Sequence, residues 1–135
     1  MILRPATMKD AELLFKWRND SGTRQQSIAP GEIVRSVHRR WLLTHAGELF
    51  IAMERRRPVG VIRLSRATGE VHLTVAPQCR GRGYGTMMLR LIVDQAREWK
   101  LLRVWGQIKN GNQASRMVFF WAGFDEMMVV AERVL

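Results

Sequence analysis

Cysteine is almost missing from this chain. Cys79 is alone among 135 residues. No internal disulfide can form, which suits a reducing compartment, so a cytoplasmic location is expected. Long apolar runs are missing too. None approaches the ~18 residues of a membrane helix, and Met1-Ile2-Leu3-Arg4-Pro5 lacks the apolar core of a signal peptide. No membrane partner is expected. Acidic residues are few, 12 against 22 Lys and Arg, for a net charge of +10. No Pro/Gly/Ser-rich linker or internal repeat divides the chain, so one domain spanning 1–135, long enough for a real core, is expected. No residue set is assigned to a metal.

What is present centres on Val75-Ala76-Pro77-Gln78-Cys79-Arg80-Gly81-Arg82-Gly83-Tyr84-Gly85-Thr86. A strand-like alternation, Glu70 to Val75, runs in and a helix-like segment runs out. Glycine permits positive φ and close backbone approach to a ligand. The first amides of a helix lack internal partners and carry partial positive charge, which attracts phosphate. The turn therefore reads as a pyrophosphate cradle. Its spacing is not the G-x-G-x-x-G of dinucleotide folds, and the Gly-Lys-Ser/Thr ending of a P-loop is absent. The positive charge is mostly arginine, whose planar fork suits phosphate. Coenzyme A, a nucleotide-linked substrate and nucleic acid are the candidate acidic partners.

In chain order, Met1 to Arg4 reads as a first strand. Thr7 reads as an N-cap with Asp10 three positions on, opening a helix from Met8 to about Asn19. Asn19 to Gly22 reads as a turn and Thr23 to Pro30 as loop. Glu32 to His45 reads as a second helix with Ile33, Val37, Trp41 and Leu42 on its apolar face. Strands are expected over Leu49 to Met53, Val59 to Leu64 and Glu70 to Val75, joined by turns at Arg55 to Pro58 and Ala67 to Gly69. A third helix (Thr86 to Trp99), a strand (Arg103 to Ile108), a fourth helix (Gln113 to Ala122, capped by Asn112 and closed by Gly123) and a last strand (Met127 to Val134) complete the order β-α-α-β-β-β-α-β-α-β. A right-handed parallel crossover is expected after the Gly loop.

Arg80-x-x-Gly83-x-Gly85 between strand and helix resembles the coenzyme A loop of the GNAT N-acetyltransferases. Asn112-x-x-Ser115 followed by Gly123-Phe124 resembles their segment that sets a helix against the coenzyme arm. The resemblance covers essentially the whole chain. It implies an α/β (α+β) fold with a central mixed, mostly antiparallel sheet and strands that part at the coenzyme. It also implies an enzyme that moves acetyl from acetyl-CoA to a primary amine. On that basis Leu73, Thr74, Val75, Arg80, Gly81, Arg82, Gly83, Tyr84, Gly85, Thr86, Asn112, Ser115 and Phe119 are the coenzyme-binding candidates. Main chain of about Leu73 to Val75 would meet the thioester oxygen, and the exposed strand edge would pair with pantetheine. Many members carry a tyrosine four residues before the Gly-Phe pair, as acid for the departing thiolate. Here that position is Phe119, and the sole tyrosine, Tyr84, lies in the loop.

Glu70 and His72 are the candidates for the base that takes the amine proton. They sit two apart on a strand, so they share a face, and histidine titrates near neutrality. A structural role for either stays open. Cys79 near positive charge allows an acetyl-cysteine route, but the resemblance implies direct transfer. Phe15-Lys16-Trp17-Arg18-Asn19-Asp20 resembles the Trp-Arg-Asn-Asp stretch of bacterial enzymes that N-acetylate nucleotide-linked amino sugars. Ribosomal-protein N-terminal acetyltransferases are similar there. Trp17, Arg18 and Asn19 are thus acceptor candidates: a ring to stack and a guanidinium for phosphate, or else a core anchor and an intramolecular clamp. The expected partner is a small amine, a nucleotide-linked amino sugar first and a protein N-terminus second. A non-catalytic coenzyme A- or nucleic-acid-binding module is the third reading. Nucleic acid is not the expected partner, and a homodimer stays open.

Overall fold

The computed structural model describes residues 1–135. Its frame is a four-stranded antiparallel sheet in the order β1-β2-β3-β4. The strands are β1 (Ile2–Pro5), β2 (Leu49–Glu54), β3 (Arg57–Leu64) and β4 (Val71–Val75). The β2–β3 hairpin turns through Arg55 and Arg56, both at positive φ, and it carries a register shift between Ala52 and Met53.

Alternation along the strands sorts side chains to opposite faces. Ile62 and Leu64, fully buried, lie opposite Leu73 and Val71 on the face covered by α4 (Tyr84–Glu98). Met88, Leu89, Ile92 and Ala96 recur at helical spacing along α4 and are all buried against that face. Each such large side chain contributes about 1.5–3 kcal/mol on leaving water. Arg63 and Val61 point the other way, paired across the strands with His72 and Thr74. That second face carries α1 (Ala11–Asn19) and α3 (Arg35–Thr44). Leu14, Trp17 and Leu42 are buried there.

The start of α1 follows the expected capping chemistry. Thr7 caps a 3-10 turn over Met8–Asp10, and Asp10 accepts from the Thr7 amide at 2.8 Å. Arg4 grips the same carboxylate with bonds of 3.0 and 2.7 Å, fastening β1 to the helix entry. Arg4 therefore helps to hold the Asp10 carboxyl below the usual carboxylate range, and the Thr7 amide adds to the effect.

Several expectations are revised. Ser21–Gln26 forms a short helix, α2, where turn and loop were expected, because Asp20 caps it by accepting from the Thr23 amide at 3.0 Å. The helix expected from Glu32 begins only at Arg35, and Val37 is exposed while His38 is buried. Helix α4 starts at Tyr84, so Gly85 belongs to its first turn. Arg103 to Ile108 forms no extended strand. It makes one parallel bridge, Trp105 to Glu70, and then leaves the sheet. The last expected strand, Met127 to Val134, does not form. Its side chains are exposed, with Val129 at 95%. Helix α5 (Gln113–Trp121) matches its expectation, with Asn112 as cap.

Candidate active site

The parting of the strands is where the site opens. Val71 donates to Trp105 O at 2.8 Å and Trp105 returns a bond to Gly69 O. Ser65 and Ala76 donate to Glu70 O and Val59 O across the β3 side. An antiparallel ladder alternates, so Glu70, His72, Thr74 and Ala76 face β3 with their main chain. Leu73 and Val75 therefore turn their N–H and C=O groups to the other side, where no strand follows Trp105. This is a bare edge. Gly60 on β3 lets the frame close behind it, since a Cβ there would meet Thr74 O at 2.7 Å and Met88 at 2.9 Å.

The edge leads through a 3-10 turn (Pro77–Cys79) into the glycine loop. Gly81 and Gly83 lie at φ of +77° and +78°, which favours glycine, and open space surrounds both. The first backbone bond of the helix is Met87 N–H to Gly83 O. The amides from Gly81 through Thr86 therefore have no backbone acceptor. They converge at the start of a 15-residue helix, where its dipole is positive. Unpaired amides around an open hollow fit a diphosphate. Gly85 serves packing instead: a Cβ there would meet Val118 Cγ1 at 3.0 Å. Thr86 donates to Val118 O, and Tyr84 packs on the core.

The two loop arginines differ. Arg82 is exposed and makes no bond. Arg80 is turned away toward α2, where it donates to Thr23 Oγ1 at 2.7 Å and Asp20 Oδ2 at 3.2 Å. Gly22 leaves room for it, as a Cβ there would lie 2.9 Å from Arg80 Nη1. The Asp20 carboxyl is held below its ordinary range, chiefly by the Thr23 amide and further by Arg80. From the opposite wall Lys109 donates to Gln25 O at 2.7 Å. Helix α2 is thus tied at one end to the glycine loop and at the other to Lys109, ahead of α5. Sequence reasoning missed this strap. The Asp20-x-x-Thr23 spacing of a helix cap was the available signal.

On the α1/α3 side, His72 Nε2 and Glu70 Oε1 share a hydrogen bond of 2.5 Å. The His72 side chain is 48% exposed, and it stands one residue from the bare edge at Leu73. The two candidates for the base therefore form one unit that opens to solvent. Behind them Phe15, His38, Trp41 and His45 make an aromatic chain with centroid spacings of 5.7, 6.0 and 4.5 Å. Burial lowers the His38 pKa, with a further push from Arg18.

The acceptor candidates take structural positions. Trp17 is 4% exposed, so its ring is a core anchor and offers no face for stacking. Arg18 donates to Ala29 O and Gly31 O, and Asn19 bonds the Ile33 main chain in both directions. Together they clamp the 29–33 loop. Asn112 and Ser115 bond one another at the α5 cap. Phe119 is buried under Gly106 and edge-on to Phe124, with centroids 5.1 Å apart. No hydroxyl stands where a thiolate acid would be expected. Cys79 is a free, buried thiol.

A bare β edge feeding a run of free amides, beside a partly exposed His–Glu pair, is an arrangement that acyl transfer from coenzyme A could use. The acetyltransferase (GNAT) domain family matches residues 1–125, and the chain belongs to that family. Its cosubstrate is acetyl-CoA and its reaction is N-acetyl transfer. Among solved structures, a ribosomal-protein-alanine N-acetyltransferase from Brucella melitensis is similar, at 24% identity and TM-score 0.80 over 95% of this chain and 86% of that one. The aminoglycoside acetyltransferase AAC(6')-Ib with coenzyme A and kanamycin shows 18% identity and TM-score 0.77, again over 95% and 86%. An acetyltransferase (GNAT family) from Bacillus anthracis shows 22% and 0.77, over 90% and 77%. These likenesses concern the fold. No curated protein matches the chain in sequence.

Proposed function

We propose that this acetyltransferase modifies the primary amine of a small acceptor, a nucleotide-linked amino sugar first among them. The observation that carries the reading is the solvent-open His72–Glu70 pair one residue from the bare edge of β4. In this scheme the amides from Gly81 to Thr86, with Arg82, hold the diphosphate. The outward N–H groups of Leu73 and Val75 face the thioester oxygen as negative charge develops. His72 takes the amine proton directly or through water, and Glu70 holds the ring in orientation. Phe119 supplies no proton, so the thiolate departs as such and is protonated by water. The net charge of +10 favours an acidic acceptor, and a phosphate-bearing sugar meets that demand.

A protein N-terminus is the second reading. It is supported by the Trp17 to Asp20 stretch and by the ribosomal-protein-alanine enzyme among the structural neighbours. Thiol release from acetyl-CoA separates the two. Release dependent on UDP-glucosamine supports the first, and release dependent on an alanine-initiated peptide supports the second. Binding of acetyl-CoA without release across both sets would overturn acetyl transfer to either class.

A further inference from the structure

The cations around the cleft are nearly all engaged. Arg18 donates to loop carbonyls, Arg24 to Glu32, Arg80 to Asp20 and Thr23, and Lys109 to Gln25 O. Arg63 is different. It is half-buried on β3, yet it joins no ion pair. Its Nε is buried without a partner, while its terminal nitrogens make no bond and are not buried. The guanidinium lies 5.9 Å from the Trp41 ring centroid, and Trp41 is in turn backed by His45. An arginine stays charged at any working pH, and a charge that is partly desolvated and unpaired is costly to keep. Across the strands, Arg63 sits directly opposite His72, on the same face as the His72–Glu70 pair.

We propose that Arg63 is the anchor for an anionic group, carboxylate or phosphate, borne by the acceptor. The inference rests on the acetyltransferase reading and names the acceptor class: an amine that carries its own acid. The Trp41 ring lies beside the guanidinium, whose planar fork suits paired bonds to such a group. Arg63 and His72 share a rung, one residue along β4 from Leu73 and its bare edge, so the anion would sit beside the His72–Glu70 pair. The His72–Glu70 pair flanks that point, within reach of an amine that must shed its proton. The same cation repels acceptors that carry only positive charge.

Matched probes test this in the presence of excess coenzyme A: glucosamine 6-phosphate against glucosamine, and 4-aminobutyrate against 4-aminobutanamide. The expected result is that the Arg63 Nε–H resonance, assigned by its loss in Arg63→Met, shifts with the anion-bearing member of a pair and not with its twin that lacks the anion. A response confined to the phosphate pair points to sugar phosphates, and one confined to the carboxylate pair points to amino-acid-like acceptors. In turnover, Arg63→Met should raise KM for the anion-bearing acceptor by roughly tenfold or more. Its kcat and KM for acetyl-CoA should stay near wild type, and Arg63→Lys should restore part of the loss. The proposal is overturned if neither anion-bearing probe moves the resonance, or if the twins with and without the anion move it equally. It is also overturned if Arg63→Met affects both twins alike. An Arg63 response in a protein that neither binds nor consumes acetyl-CoA would instead overturn the transferase reading.

Discussion

Asp10 shows how much one carboxylate can organise. It closes the capping box with Thr7 and pairs with Arg4 across the β1–α1 corner. Asp10→Ala should cost about 2 kcal/mol, read by chemical denaturation, since a cap and a half-buried pair are lost together. The pH dependence has a definite sign. The folded pKa is depressed, so the stabilisation is fully present above about pH 4 and is lost as pH falls through the lower folded value. Asp10→Asn should flatten that acid limb. At the site, His72→Gln should lower kcat by roughly a hundredfold and change its pH dependence, while coenzyme affinity holds. An unchanged kcat with saturating acceptor would pass the base role to water.

At the scale of elements, the glycine loop and α2 set the behaviour. Arg80 is shared between a diphosphate in prospect and the Asp20–Thr23 pair in fact. Asp20→Asn should free it and tighten coenzyme binding by up to about fivefold in calorimetry, the range of an exposed ion pair. Gly60→Ala should cost about 1–3 kcal/mol and weaken coenzyme binding, because the new methyl meets Thr74 O and Met88 and pushes β4 aside. Legibility in the sequence follows the same physics. The meander, α4, α5 and the Gly loop announce themselves through alternation, helical spacing and glycine at a strand end. Trp17 misleads because burial and stacking both want an indole. Arg63 was invisible, since its interest lies in what fails to surround it. Arg103 to Ile108 has strand composition, but pairing is a property of partners, and beyond Trp105 the chain turns from β4 to reach α2. Met127 to Val134 has the apolar pattern of a strand and no neighbour to pair with.

Taken whole, the molecule joins a basic surface to an apolar C-terminal segment left in water. Exposed β-prone residues add little to folded stability and invite edge-to-edge association. Val129→Lys with Val130→Glu should leave Tm within about 2 °C while suppressing concentration-dependent light scattering. The fastening of α2 carries a last consequence. One mooring, Arg80, belongs to the loop that greets the acyl donor, and the other, Lys109, to the segment across the gap. Were a donor to draw Arg80 off Asp20 and Thr23, α2 would keep only its Lys109 mooring, and donor binding should then speed amide exchange over residues 21–26.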